Sequence, residues 1–68
     1  MNGWYNTNYR LPEDGVIVET IISDGKGERN HGILKRSGNL WFLADGSMYV
    51  YYTPTHWRYI ERYWKAEF

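Results

Sequence analysis

The sequence predicts a small all-β domain, and three features of the 68-residue chain carry that prediction. Residues 16–22 are β-branched at every position except Glu19, and residues 49–60 are the densest run of aromatic and β-branched side chains. Both classes of side chain suit a pleated, half-buried surface. Short turn signals, among them the Asp-Gly dipeptides at residues 24–25 and 45–46, separate such runs at regular intervals, which is typical of antiparallel hairpins.

The N-terminal segment predicts a short strand followed by a turn. Trp4 and Tyr5 favour the opening strand because aromatic residues are enriched in sheets. In the turn at residues 11–15, Pro12 fixes one central dihedral angle and Gly15 can adopt a positive φ. The turn therefore leads directly into the first long β-branched run.

The clearest hairpin is predicted around the loop at residues 23–27. The nearly continuous apolar run at residues 16–22 is typical of a central strand with both faces covered. Residues 28–35 are expected to return antiparallel to it. Gly32 lies inside this second strand and predicts a bulge or a close backbone approach.

The C-terminal half predicts three further strands, at residues 40–44, 48–53 and 56–60. Pro54 is expected to bend the chain between the last two, because proline cannot donate a ladder hydrogen bond. Helical spacing of the aromatic residues after residue 60 indicates a short C-terminal helical turn. The whole chain, residues 1–68, is then one domain: an antiparallel meander or SH3-like open barrel of about five strands.

Composition excludes several classes of protein. The chain has no cysteine, so it has neither a disulfide framework nor a thiolate for catalysis or metal binding. Its formal net charge is zero, which does not favour a nucleic-acid partner. The charges are unevenly placed, because residues 1–24 carry one arginine against four acidic residues and residues 25–36 carry four basic residues against one glutamate. Pairing of these segments would bring the opposite charges together.

No segment predicts a membrane anchor or a secretion signal. No apolar run approaches the roughly 20 residues that span a bilayer. The N-terminus lacks a basic region followed by an apolar core. A cytoplasmic protein with no membrane partner is expected.

Two sequence patterns resemble a family of small phage and prophage proteins of unknown function. Trp4 is followed by six residues and then by Leu-Pro-x-x-Gly at residues 11–15, and the triplet Thr55-His56-Trp57 closes a later strand. The chain departs from the family pattern after Trp57, where the proline-rich ending is missing. The resemblance implies a phage or prophage origin and a bacterial host cytoplasm. It implies no activity and no catalytic residues.

The two histidines, His31 and His56, do not predict a metal or catalytic site. No His-x-x-His type of ligand spacing is present, and no nucleophile can be assigned to either ring. For His56 the sequence predicts a ring that is hydrogen bonded beside Thr55 and Trp57. The protein is therefore expected to be non-enzymatic, with no cofactor.

The aromatic residues carry the functional prediction. Ten of the thirteen lie between Trp41 and Phe68, more than one small core needs. Strand alternation puts Tyr49 and Tyr51 on one face of their strand, and Trp57 and Tyr59 on one face of the next. We expect these faces to lie opposite the core, with arginines at the rim, so that the binding surface is Tyr49, Tyr51, Trp57, Tyr59, Arg58 and Arg62.

Three roles remain open for these aromatic side chains. They can fill the core of a small protein, or they can anchor a protein interface, where tyrosine and tryptophan are enriched. They can also stack on the bases of single-stranded nucleic acid, with positive charge from nearby lysines and arginines. The preferred prediction is a module that binds a host or phage protein, or a second copy of itself. The alternative is a single-stranded nucleic-acid-binding protein.

Overall fold

The computed structural model describes residues 3–60, and within that range the chain forms six strands and no helix. The prediction of an all-β fold is confirmed. The predicted C-terminal helical turn, like Arg62, falls on residues 61–68, which lie outside the described range. The strands are β1 (Tyr5–Asn6), β2 (Ile17–Asp24), β3 (Gly27–Ser37), β4 (Leu40–Leu43), β5 (Tyr49–Val50) and β6 (His56–Tyr59).

All six strands belong to one open antiparallel sheet with the order β1-β6-β2-β3-β4-β5. Strands β2 to β5 form a meander of consecutive hairpins. After β5 the chain returns to the far side of β2, where β6 pairs with it, and β1 pairs with the outer side of β6. Consequently β2 is a central strand, as predicted, and β1 and β5 are the two edges.

The structure contains a turn before β2 and a connection between β5 and β6, at the two places where the sequence predicts them. Gly15 has a φ of 83°, in the left-handed region that glycine adopts without strain. The Val16 N–H donates to the carbonyl of Glu13 at 3.2 Å, so the turn spans residues 13–16. Pro12 precedes this turn and does not occupy the central position predicted for it. Pro54 is buried in the connection that separates β5 from β6, as predicted, but the chain bends earlier, at Tyr51 and Tyr52.

A β-bulge interrupts the long β2–β3 hairpin next to the glycine that predicts it. Thr20 is paired with Gly32 and Ile22 with Arg29, so two residues of β3 lie opposite one residue of β2. One of the two residues on the bulged side is Asn30, whose φ is 56°. Asparagine tolerates this left-handed conformation better than most residues. A bulge of this kind bends the strand and increases its twist.

The core lies on the inner face of the curled sheet. Val18, Leu34, Trp41 and Trp57 come from four different strands and form a single buried cluster. Six half-buried side chains pack around it: Tyr5, Val16, Leu43, Val50, Tyr52 and Tyr59. The large aromatic side chains bury enough apolar surface for a domain of this size to fold without disulfides.

The prediction that Trp57 and Tyr59 form a surface opposite the core is wrong. Trp57 is fully buried, and its ring centroid lies 5.1 Å from that of Tyr59. The register explains this placement, because Tyr59 is paired with Val18, the centre of the core, and side chains of paired residues share a face. Alternation shows which side chains of a strand lie together, but it does not identify the buried face.

The predicted cancellation of charge between the first two segments is confirmed. Arg29 donates two hydrogen bonds to the carboxylate of Asp24, both at 3.0 Å. Arg36 lies 3.1 Å from Asp14, and its guanidinium also donates to the carbonyl of Pro12. The second arginine therefore fastens the turn before β2 to strand β3.

Candidate protein-binding edge

Strand β5 ends the sheet on one side and contains only two residues. It follows a tight loop in which the Gly46 N–H donates to the carbonyl of Leu43 at 2.8 Å. Gly46 has a φ of 77°, which explains the Asp-Gly signal at this point in the sequence. The loop returns the chain antiparallel to β4 and so creates an edge strand.

The backbone of Tyr49 points its hydrogen-bonding groups away from the sheet. The Leu43 N–H donates to the carbonyl of Met48 at 2.9 Å, and the next opposed pair is Phe42 and Tyr49. Hydrogen-bonded and non-hydrogen-bonded pairs alternate along an antiparallel ladder. Phe42 and Tyr49 are therefore a non-hydrogen-bonded pair, and the N–H and C=O of Tyr49 face the open side. Within residues 3–60 no strand pairs with that side.

Large apolar side chains are exposed around this strand. Tyr51 is 93% exposed and Tyr49 is 50% exposed, and both Met48 and Leu40 are also exposed. The ring of Tyr49 meets Phe42 of β4 edge to face, with 6.1 Å between the centroids. We refer to Met48, Tyr49 and Tyr51, with the outward backbone of Tyr49, as the β5 edge.

Two shallow depressions adjoin the β5 edge. The larger has a volume of about 320 Å³ and lies between β5 and the start of β4, where Asn39 and Leu40 contribute to its lining. The smaller has a volume of about 150 Å³ and is lined by residues 48–52 alone. Each could accept one side chain of a strand laid along β5.

The electrostatic character of the β5 edge is neutral. Residues 46–55 contain no aspartate, glutamate, lysine or arginine. Edge strands of monomeric proteins are usually guarded by being very short, by charged side chains, by proline or by bulges, because their free backbone groups attract other strands. Strand β5 is short, but it carries no charge, proline or bulge. Its composition is that of a strand suited to pairing.

The structure separates the five described residues of the predicted binding surface, and the sixth, Arg62, lies outside the described range. Tyr49 and Tyr51 lie at the β5 edge, whereas β6 lies on the other side of β2, with three strands between them. Trp57 and Tyr59 of β6 belong to the core, and Arg58 projects from the opposite, outer face. Sequence reasoning missed Met48 and Leu40, because only strand order shows that they flank an edge.

A polar cluster on the outer face was also missed, and we call Trp4, Glu19, His31 and Arg58 the outer-face cluster. The Arg58 Nε–H donates to Glu19 at 2.7 Å, and His31 Nε2 contacts the second carboxylate oxygen. The Arg58 guanidinium lies 4.4 Å from the centre of the Trp4 ring. Trp4 also meets His31 edge to face, at 5.9 Å. Glu19 is 12 residues from His31 and 39 residues from Arg58 along the chain, so no local sequence pattern reveals this cluster.

The outer-face cluster joins strands and does not form a complete catalytic constellation. Glu19 belongs to β2 and binds side chains of β3 and β6, so it links three neighbouring strands. Among residues 3–60, the His31 ring is hydrogen bonded to Glu19 alone, and no hydroxyl group that could act as a nucleophile is bonded to it. Residues 3–60 also contain no group of three His, Asp or Glu side chains able to hold a metal ion.

The Arg58 hydrogen bond holds the pKa of Glu19 below its ordinary value near 4.5, and His31 acts in the same direction. The unfolded chain therefore binds a proton at a higher pH than the folded protein does. This difference stabilises the fold above pH 4.5, and the stabilisation is lost as the pH falls through the lower pKa of the folded state. We expect Glu19→Gln to remove about 1 kcal/mol at neutral pH, as is usual for a partly exposed ion pair.

Urea unfolding of both proteins between pH 3 and pH 7 measures this effect. The difference in free energy of unfolding between wild type and Glu19→Gln should be constant near neutrality and shrink below pH 4.5. Glu28→Gln is the matched control, because it makes the same charge change at an exposed position of β3. Parallel pH profiles for wild type and Glu19→Gln would contradict the prediction.

Comparison with protein families, curated proteins and solved structures gives no match for this chain. The phage family that the sequence patterns resemble stays a prediction. The described part of the chain contains no helix that is long and apolar enough to cross a membrane. The candidate site is therefore identified by its geometry alone.

Proposed function

We propose that this protein is a non-enzymatic binding module that recruits a second protein chain by adding an extended strand to the β5 edge. The observation that carries the proposal is the outward-facing N–H and C=O of Tyr49 on an uncharged edge strand. Strand addition of this kind uses backbone hydrogen bonds for affinity and side-chain pockets for specificity. The β5 edge offers both.

The chemistry of the edge defines the partner. The added segment is extended, free of charge over several residues, and apolar or aromatic at alternate positions. Tyr51 is the expected anchor, because a fully exposed tyrosine loses most accessible area when a partner covers it. The two depressions beside β5 receive side chains on either side of the new strand. In this proposal Met48 and Leu40 exclude water around the central contacts.

The biological setting of the proposal comes from the sequence resemblance. A phage or prophage origin would make the partner a host or phage protein in the bacterial cytoplasm. The structural argument does not depend on that origin, because it requires only a strand of suitable chemistry.

Single-stranded nucleic acid is the second candidate, and one observation favours it. Lys35, Phe42 and Tyr49 lie side by side on the outer face across three strands, as a small stacking platform with one positive charge. Acidic residues already engage much of the remaining positive charge, since Asp24, Asp14 and Glu19 each hold one arginine. Little charge is then left for phosphate, so we rank this function second.

We expect capture of a partner protein to depend on the β5 edge. Wild-type protein and the variants Tyr51→Ala and Tyr49→Pro are each immobilised and exposed to bacterial lysate with and without nuclease. Truncating an interface anchor weakens binding by roughly 30-fold. Proline at position 49 removes an N–H that faces away from β4, so the sheet is preserved while the added strand loses a hydrogen bond. Tyr9→Ala is the control, because Tyr9 is 88% exposed in the loop after β1.

Three outcomes separate the candidates. The proposal is supported if a captured protein resists nuclease, still binds Tyr9→Ala, and no longer binds Tyr51→Ala or Tyr49→Pro. Hydrogen exchange must also show protection of the Tyr49 amide in the complex. A band that all variants retain equally places the binding surface elsewhere and overturns the proposal. Recovery that disappears with nuclease and falls steeply with salt would establish the nucleic-acid function instead.

A further inference from the structure

We propose that the strand added to the β5 edge is β5 of a second copy of this chain, in a two-fold symmetric dimer centred on Tyr49. This inference rests on the proposed function, because it identifies the occupant of the same edge. The requirement is an extended, uncharged strand with alternating apolar side chains. Strand β5 with its flanking residues meets that requirement itself.

The backbone geometry favours one register for such a dimer. A two-fold axis between antiparallel strands makes one residue lie opposite its own copy, and when the axis passes through a hydrogen-bonded pair that residue directs both its N–H and its C=O outward. Tyr49 is the residue of β5 with this orientation, whereas Val50 is turned towards Trp41 of β4. The two Tyr49 residues would exchange both backbone hydrogen bonds, with their Cα atoms roughly 5.5 Å apart. The sheets of the two copies would then become continuous.

This register also gives matching side-chain contacts on both faces. Residues directly opposite each other point to the same face, so the two Tyr49 rings lie side by side. Phe42 already contacts Tyr49 within each copy, and the dimer therefore has a row of four aromatic rings across its outer face. On the inner face, Met48 of each copy lies opposite Val50 of the other. The exposed Met48 side chain is thereby covered.

The charge distribution permits this symmetric contact. Symmetry brings every charge near its own copy, so a charged edge would repel itself. No charged side chain occurs in residues 46–55, and the nearest, Asp45, falls opposite the uncharged Thr53 of the second copy in this register. The formal net charge of zero adds no long-range repulsion between the two molecules.

A single-cysteine variant tests the register directly, because the natural chain has no cysteine. A Cα separation of roughly 5.5 Å lies within the range that a disulfide spans. We expect Tyr49→Cys to form a disulfide-linked dimer under mild oxidation at least about tenfold faster than Tyr9→Cys, because pairing raises the effective concentration of the two thiols. Tyr9 is exposed near the opposite edge of the sheet, so its variant measures random encounters.

Oligomeric state supplies the second measurement. Sedimentation equilibrium of the wild-type chain should give twice the monomer mass at high concentration, and Tyr49→Pro should remain monomeric while keeping its circular dichroism spectrum. A wild-type chain that is monomeric throughout, with equal cross-linking of the two cysteine variants, overturns the dimer. If capture from lysate still depends on Tyr49 and Tyr51 in that case, the binding module stands and only the identity of its partner fails. Loss of that dependence as well would overturn both proposals.

Discussion

Replacing Trp57 by alanine is expected to remove a large part of the free energy of unfolding of the domain. The Trp57 side chain is fully buried at the centre of the core, and its ring lies 4.7 Å from that of Tyr5. Its indole N–H donates to the carbonyl of Arg10 at 2.8 Å, which fastens the segment after β1 to the core. Truncation of a buried tryptophan costs about 3–5 kcal/mol. A domain of this length has a total stability of about 3–10 kcal/mol, so the loss removes much of it.

Urea unfolding followed by far-ultraviolet circular dichroism measures this effect. Tyr51→Ala is the matched control, because it also removes an aromatic ring but from a side chain that is 93% exposed. Its free energy of unfolding should stay within about 0.5 kcal/mol of wild type. Equal stability of the two variants would show that Trp57 is not a core residue. The pair thereby separates core aromatics from edge aromatics, a distinction that the aromatic-rich sequence leaves open.

The sequence predicts the strands well because local patterns determine them. The β-branched run at residues 16–22 corresponds to β2, and the Asp-Gly dipeptides lie at real turns, whereas Pro12 lies just before one. The strand at residues 48–53 is shorter than predicted, since the chain bends at Tyr51 before reaching Pro54. β1 pairs with β6 through Tyr5 and Trp57, which are 52 residues apart, and no local pattern specifies that pairing.

The candidate site is less predictable because it depends on strand order. Tyr49 and Tyr51 are both exposed, although β5 ends before Tyr51, and only the sheet order shows that Tyr49 lies on an edge strand. Strand alternation also cannot decide which face of β6 is buried, so the core residue Trp57 is indistinguishable from an exposed anchor. The outer-face cluster illustrates the same limit, because Glu19 meets partners that belong to two other strands.

The triplet Thr55-His56-Trp57, which carries much of the family resemblance, has a structural explanation. Trp57 fills the core, and His56 Nδ1 lies 2.8 Å from the hydroxyl of Thr55, which confirms the hydrogen-bonded ring predicted there. The Thr55 N–H donates to the carbonyl of Ile21, and the Thr55 carbonyl accepts from Thr7. Each residue of the triplet thus helps to place β6 between β1 and β2. These roles account for the triplet without any catalytic function.

We expect Thr55→Val to destabilise the fold by about 1–3 kcal/mol, although valine has nearly the same shape. The Thr55 hydroxyl accepts a hydrogen bond from the Ser23 N–H at 2.7 Å, and both residues are partly buried. Valine leaves that N–H without its partner, and a buried unpaired donor carries the full penalty of its lost hydration. The hydroxyl is also the partner of the His56 ring, so that ring loses a contact too.

Two further substitutions decide whether the hydroxyl itself is responsible for the loss. Thr55→Ser keeps the oxygen and should retain most of the stability that Thr55→Val removes. Thr53→Val makes the same chemical change at an exposed position two residues earlier, and its unfolding midpoint in urea should match wild type. If Thr55→Val unfolded at the same urea concentration as Thr53→Val, the hydroxyl would not be what holds β6 against β2. A selective loss in Thr55→Val would instead show that this hydroxyl stabilises the pairing of β6 with β2.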